Sequence, residues 1–334
     1  MKNNLIGVLE PVHKPVLLKE VLAAFEHIAP LNNQAHKGNK PIVVDATLGA
    51  GGHAKELIRR GFYVLGIDAN RKMVKIAGEN LRNFVTSEFA HRAERLSEPE
   101  ACPTGNFDEF FKIVTSNFVS IDRVAHESGF ENVDGILFDL GISSYHYQFS
   151  SGFSFQNPDL ALDMRLSDSQ NVTAADLLNA LPYKKLAELF AQTIPGKAKR
   201  LARCVEQSRR NRKIETVGDF LKIVDSAIFI TKRMVGKNQS PYTLPFLALR
   251  IAVNYELDNL KIALNKSCGV LKDGGVLAVI SFHSGEDKIV KDIFKDLVEK
   301  KLMKWKEKLV IPSTIEILNN PRSRSAKLRV ISRL

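Results

Sequence analysis

Two short apolar runs in this chain each end in an aspartate, and a glycine turn lies between them. Residues 43 to 54 read V-V-D-A-T-L-G-A-G-G-H-A, and Tyr63–Asp68 reads Y-V-L-G-I-D. The order is strand, glycine turn, helix, and a second strand ending in an acid. The turn holds Gly49, Gly51 and Gly52. Glycines let backbone amides approach a ligand, and the helix behind them points its positive end at it. Asp68 lies 19 residues beyond Gly49, near the roughly 20-residue spacing at which an acid holds a ribose hydroxyl pair. The chemistry is the binding of a nucleoside-containing cofactor. Gly49-x-Gly51-x-x-Ala54 also fits the dinucleotide fingerprint, so the loop alone does not separate NAD from S-adenosylmethionine. Structural alternatives stand beside each residue: packing for the glycines, helix capping for Asp68, and a first-turn polar position for His53.

A second acid lies further along. Asp139–Ser144 (D-L-G-I-S-S) follows a buried apolar strand, and open parallel sheets bind ligands at that carboxyl edge. Enzymes that methylate exocyclic amino groups of bases carry a short acidic or polar motif there. The amino lone pair of cytosine is delocalised into the ring. An acceptor that grips its N–H favours the pyramidal nitrogen needed for in-line attack. Asp139, with Ser143 and Ser144, is the candidate; a contact to the cofactor or a capping turn is the alternative for Asp139. Tyr145, His146, Tyr147, Phe149, Phe153 and Phe155 follow. Aromatic rings beside such an edge stack flipped bases, Tyr145 and Tyr147 foremost. Anchoring a neighbouring domain is the plain role for the phenylalanines.

Gly196–Lys213 holds eight Lys or Arg against one Glu. Leu201, Ala202 and Val205 form an apolar helical stripe, which leaves Lys199, Arg200, Arg203 and Arg210 for a phosphate-binding face or a solvated one. Arg322, Arg324 and Lys327 offer further nucleic-acid contacts near the C-terminus, or simply a basic edge hairpin. In Ser281–Asp287 (S-F-H-S-G-E-D), Ser284 with Asp287 resembles a capping box. His283 either lines a pocket or fills the core edge. No G-x-S-x-G elbow is present, which argues against a hydrolase.

These residues need elements to hold them. The 334 residues carry 44% hydrophobic and 25% charged side chains, ordinary for globular protein and enough for two domains. A net charge of +11 points to a polyanionic partner, nucleic acid before acidic membrane. Cys102, Cys204 and Cys268 form neither a C-x-x-C nor a disulfide framework, which fits a reducing cytoplasm. The first residues carry an acid and a proline where a signal peptide needs its apolar core. Phe220–Val235 is the longest apolar candidate. It contains Lys222, Asp225, Lys232 and Arg233, and no run approaches the ~18 apolar residues of a spanning helix.

Strands are expected at Ile42–Ala46, Tyr63–Asp68, Asp134–Leu140 and Gly275–Phe282, with a weaker one at Asn117–Ile121. Nearly continuous apolar strands alternating with helices predict a parallel sheet covered on both faces. Lys308–Ser313 and Ala326–Ser332, joined by an N-N-P-R turn, predict an antiparallel hairpin closing it. Helices are expected at Ala174–Leu181, Tyr183–Ala191, Lys197–Arg210 and Val217–Lys232. Residues 150–240 therefore read as an inserted helical domain, with 1–149 and 241–334 forming the sheet domain and the sheet pattern resuming near Pro245. Residues 92–106 read as a polar surface excursion.

Together these segments resemble one family closely, the ribosomal small subunit methyltransferase H or MraW family. The resemblance runs from His13–Leu22 (H-K-P-V-L-L-K-E-V-L) to the C-terminus, nearly the whole chain. It takes in Asp45–His53, Asp139–Ser144, Gly152–Phe155 (G-F-S-F), Leu162–Arg165 (L-D-M-R), Ala198–Arg203, Ala248–Asn254 (A-L-R-I-A-V-N), Ser281–Ser284 and Asn320–Arg329. Any one is weak; eight in order are highly specific. The resemblance implies a class I S-adenosylmethionine-dependent methyltransferase, Rossmann-like, with a helical insert. The implied activity is N4-methylation of a cytidine of 16S rRNA in the decoding region near the P site. Gly51, Gly52 and His53 match its cofactor-loop positions, Asp68 its ribose acid, Asp139 its strand-end cofactor contact and Phe118 its aromatic beside the adenine. The family usually continues D-L-G-[VI]-S-S with Pro-Gln. Here Tyr145 and His146 stand there, so the glutamine's contact passes to His146, with Gln148 the alternative. Leu247 likewise replaces a common glutamine.

The expected protein is thus an α/β rRNA cytosine-N4 methyltransferase, cytoplasmic, acting on 16S rRNA in the small ribosomal subunit, with a homodimer allowed. Two rivals stay open: an NAD-linked oxidoreductase, and a catalytically silent RNA-binding assembly factor with this fold.

Overall fold

The computed structural model describes residues 14–28, 40–96, 107–143, 145, 151–228 and 240–334, with side chains of the third helix described to residue 88. The chain folds into two compact units. The first holds residues up to Gly141 and Lys261–Leu334; the second is Ile142–Leu260.

The first unit is a seven-stranded sheet. Its strands are β1 (Ile42–Asp45), β2 (Tyr63–Asp68), β3 (Phe111–Thr115), β4 (Val133–Asp139), β5 (Leu271–Ser281), β6 (Met303–Val310) and β7 (Lys327–Arg333). The order is β3-β2-β1-β4-β5-β7-β6. Strands β1 to β5 run parallel, while β7 is antiparallel to both β5 and β6. The order reverses between β1 and β4, so Asp45 and Asp139 close neighbouring strands at the switch point, where open sheets bind ligands. Buried aliphatic residues on β1, β2 and β4 meet helices on the sheet's faces. Val21 and Phe25 of α1 (Leu18–Phe25) and Leu57 and Ile58 of α2 (Gly52–Arg59) join Val43, Val64 and Leu137 in one core.

Several expected elements differ. Asn117–Ile121 is not a strand: Phe118–Ser120 is a 3-10 turn and Ile121 opens a helix. The strand is Phe111–Thr115, on the sheet edge and only partly buried, so it lacks a buried strand's continuous apolar run. The final strands are not joined by a tight turn. Their connection holds a helix, Thr314–Asn319, and a 3-10 segment, Pro321–Ser325, and β6 begins five residues earlier than expected. Residues 92–96 belong to the long helix α3 (Arg71–Leu96); 97–106 lie outside the described residues.

The second unit is helical. Ala174–Ala180, Tyr183–Ala191, Ala198–Asn211, Val217–Ala227 and Thr243–Asn254 bury one core that includes Leu162, Phe190, Leu201, Phe220 and Phe246. Phe190 stacks on Phe220 with ring centres 6.2 Å apart. Capping boxes from Thr173 with Asp176 and Thr216 with Asp219 start two of these helices. The unit is wider than the expected insert. Thr243–Asn254 packs Phe246, Leu249 and Val253 into its core, and the sheet resumes only at Leu271 rather than near Pro245.

Segments that the family resemblance rests on tie this unit together. Asn254 is buried. It accepts the Leu166 N–H at 2.9 Å and donates to the Met164 carbonyl at 2.9 Å. Arg165 reaches Asp163 through both Nε (2.7 Å) and Nη2 (2.8 Å). Gly152 has φ +86°, and a Cβ there would lie 2.7 Å from the Asp163 backbone nitrogen. These residues read as fold-determining.

Candidate functional site at the sheet's carboxyl edge

The glycine loop follows β1 and is held by the end of β2. The Leu48 N–H bonds back to the Ile67 carbonyl at 2.9 Å, and the Gly51 N–H to Leu48 at 2.9 Å. Gly49 and Gly51 have φ of +53° and +85°, a region that L side chains avoid. Gly51 also packs tightly, since a Cβ would stand 3.3 Å from the Leu81 side chain. Helix α2 then begins at Gly52, after a cap residue, Gly51, that has no side chain to offer its first turn. A helix N-terminus of this kind points its positive end at a ligand.

Asp68 closes β2 and holds the loop. Its Oδ2 accepts the Gly49 N–H at 2.9 Å and its Oδ1 the Asn70 N–H at 2.8 Å. Each oxygen keeps a second lone-pair direction for a ligand hydroxyl. Asp68 does not cap the next helix; Asn70 does, accepting from Lys72 and Met73.

Asp139 closes β4. Its backbone N–H donates to Thr47 Oγ1 at 2.6 Å. Its Oδ2 lies 3.5 Å from His53 Nδ1, while its Oδ1 is buried with no hydrogen-bond partner among the described residues. A buried, unpaired carboxyl oxygen costs free energy unless a ligand completes it. Phe118 sits near this strand, edge-on to Phe138 with ring centres 5.7 Å apart.

Acids dominate the electrostatics. Burial pushes the Asp45 carboxyl up to about 7, with Asp68 adding to the rise and the Thr47 amide opposing it. Burial raises Asp68 to about 6 against the amides of Asn70 and Gly49. Asp139 is held well above the usual carboxylate range by burial, then by Asp45 and Glu286. A cation brought here would relieve this strain. S-adenosylmethionine, with a sulfonium and an ammonium group, fits that need. The N-terminus of α2, the Asp68 lone pairs and the orphaned Asp139 Oδ1 offer partners for the rest of it.

Glu286 and Thr47 join the site through tertiary contacts that no local sequence pattern signals. Glu286 is 3% exposed and accepts the Phe282 N–H at 2.8 Å. The capping box uses His283 and Glu286, not Ser284 and Asp287 as expected. Asp287 instead binds Lys327 at 2.9 Å and Arg329 at 2.8 Å. Lys327 is therefore committed to an ion pair, whereas Arg322 and Arg324 are exposed.

On the second unit, Lys199, Arg203 and Arg210 are exposed and Arg200 half-buried. A cavity of about 440 Å³ is lined by Pro195, Gly196, Lys199, Arg200, Arg203 and Cys204. Arg209 is structural: its Nη1 donates to the carbonyls of Leu178, Asn179 and Leu181. Phe153 and Phe155 belong to the helical core or pack against it. Ser143 and Tyr145 are half-buried residues of this unit. Ser144, His146, Tyr147 and Phe149 lie outside the described residues. Among the described residues, no helix is long and apolar enough to cross a membrane.

The sheet order, the glycine loop and the strand-end acids define a class I methyltransferase fold. The chain belongs to the MraW methylase family, whose model matches residues 10–334, and this is a family of S-adenosylmethionine-dependent enzymes. Relatives named ribosomal RNA small subunit methyltransferase H span nearly its full length. The protein of Dictyoglomus thermophilum is 38% identical over 327 residues, covering 96% of this chain and 97% of the relative. That of Coprothermobacter proteolyticus is 38% identical, covering 96% of each. That of a Hydrogenobaculum species is 37% identical, covering 95% of each.

Proposed function

We propose that this protein transfers a methyl group from S-adenosylmethionine to the exocyclic N4 of a cytidine in 16S rRNA, in the decoding region near the P site. The observation that carries this reading is Asp139 Oδ1, buried at the end of β4 without a partner among the described residues. An amino N–H is the donor such an oxygen lacks. The bound donor supplies a methyl already activated on sulfur, so orientation matters more than a strong base. Asp139 grips N4–H and favours the pyramidal nitrogen. Gly49, Gly51, Gly52 and Asp68 hold the nucleoside, Phe118 meets the adenine, and His53 backs Asp139. Ser143, Ser144, Tyr145 and His146 follow Asp139 directly in the chain and are assigned to the acceptor side and the cofactor's edge by that position. The helical unit serves as the RNA-recognition domain. Arg200, Arg203 and Arg210 take phosphates there, as Arg322 and Arg324 do near the C-terminus; Lys327 joins them only by leaving Asp287. The relatives' printed name supports the rRNA substrate.

Mass spectrometry of 16S rRNA from cells with and without the protein tests this. One cytidine should carry an N4-methyl only when the protein is present, and Asp139→Ala should abolish it while the far-UV circular dichroism stays unchanged. Methylation that persists in Asp139→Ala would sink the assignment.

A further inference from the structure

Methyl transfer to an amino nitrogen leaves a proton to be removed, and the surroundings of Asp139 say how. His53 is buried at 5% exposure on the first turn of α2. Its Nε2 lies 3.0 Å from the Val16 carbonyl oxygen. A carbonyl only accepts, so Nε2 carries a hydrogen. Val16 is itself buried and precedes Leu17, whose φ is +52°. This fixed carbonyl sets the tautomer. In the neutral ring Nδ1 is then a lone pair, and it faces Asp139 Oδ2 at 3.5 Å.

We infer that His53 and Asp139 form a dyad that shares one proton, with His53 the positioning member and Asp139 Oδ1 the atom that receives the proton of the methylated amine. The inference rests on the function proposed above. Among the described residues, the titratable groups acting on Asp139 are His53 from α2, Asp45 from β1 and Glu286 from the helix after β5, and Asp68 acts on Asp45. All but His53 are acids. Together with burial they favour a proton on the dyad when no cation is present. A sulfonium reverses that preference and empties the dyad. As N4 bonds to the methyl carbon, the carbon–sulfur bond breaks and its electron pair stays on sulfur. The site's positive charge moves to N4. Asp139 Oδ1, now a carboxylate oxygen, takes one N4 proton, and His53 Nδ1 shares it through Oδ2. The thioether left behind is neutral, so the dyad keeps the proton until product leaves and solvent removes it. One positive charge enters with the donor, and one leaves as a proton.

Nitrogen-15 NMR of histidine-labelled protein, with His53→Gln to assign the signal, tests this without RNA. The expected spectrum shows a protonated Nε2 and a titrating Nδ1. Its midpoint should fall by about one pH unit or more when S-adenosylmethionine binds, a tenfold change in proton affinity, and fall much less with S-adenosylhomocysteine. A hydrogen on Nδ1 rather than Nε2 in the neutral ring, or equal midpoints with the two ligands, would overturn the dyad. His53→Gln keeps an N–H for Val16. With saturating donor, its methyl-transfer rate should lie about tenfold below wild type at pH 6.5 and approach it at higher pH. A loss that is uniform across pH marks a merely structural role and also overturns it. Were no cytidine methylated by the wild type, the function proposed above would fall while the ligand-linked titration would still report on the dyad.

Discussion

Thr47 Oγ1 accepts the backbone N–H of Asp139 at 2.6 Å, across 92 residues of sequence. This bond helps join the glycine loop to the end of β4, beside the Ala46 N–H to Leu137 carbonyl bond at 2.9 Å. Thr47→Val keeps the shape and removes the acceptor. The Asp139 N–H is then left unpaired, which costs about 1–3 kcal/mol. Urea denaturation should show that loss, and calorimetry should show weaker S-adenosylmethionine binding. Thr47→Ser should restore most of both.

Buried acids make stability fall as pH rises. Asp45 holds its proton up to about 7 when folded against an ordinary value of 3.8. The folded state therefore binds the extra proton between these limits, and stabilisation present below pH ~4 is lost as pH climbs through 7. Three pH units correspond to an upper figure on the order of 4 kcal/mol. Without ligand, the melting temperature should be lower at pH 8 than at pH 5. Asp45→Asn should flatten that difference; an unchanged slope would rule Asp45 out as its source.

Donor binding should depend on pH in the opposite sense. A cationic ligand favours the ionised acids, so binding at pH 6.5 should release protons, and affinity should grow between pH 6 and 8. Calorimetry in two buffers of different ionisation enthalpy counts those protons. Binding without release would contradict the raised values of Asp45 and Asp68.

Reversing charge at Arg200 and Arg203 should weaken rRNA binding and reduce its salt dependence. Two phosphate contacts correspond to a slope change of about 1.4–1.8 in log K against log salt. An unaltered slope would remove the helical unit's basic face from the RNA interface, whatever happens to activity.

Gly152→Ala should destabilise the helical unit by about 2–4 kcal/mol, because it adds strain at positive φ to a clash with backbone. The clash is with the Asp163 nitrogen at 2.7 Å. Thermal unfolding should register it, while donor affinity should change little.

The legible parts of the fold were those with a strong local signal. Tyr63–Asp68 forms a strand at the bounds its apolar run implies, because it is buried on both faces. Tyr183–Ala191 likewise keeps its expected limits. Phe111–Thr115 is not legible in the sequence because an edge strand with half-exposed residues carries little hydrophobic pattern. The cap falls on His283 rather than Ser284, and the two share a spacing, since Ser284 with Asp287 has the same separation as His283 with Glu286. The deciding factor is Asp287's pull toward Lys327 and Arg329 on β7, which local spacing cannot reveal.

The same division holds for the site. Glycine spacing, the acid at Asp68 and the segment at Asp139 are local patterns, and sequence alone pointed to a nucleoside cofactor and to the MraW methylase family. Tertiary structure decided what those acids experience. Burial and the approach of Asp45, Glu286 and Asp68 raise their proton affinities, the Val16 carbonyl orients His53, and Thr47 ties two distant strands. These are properties of distance and desolvation between residues far apart in the chain, and they come into being only when the sheet assembles.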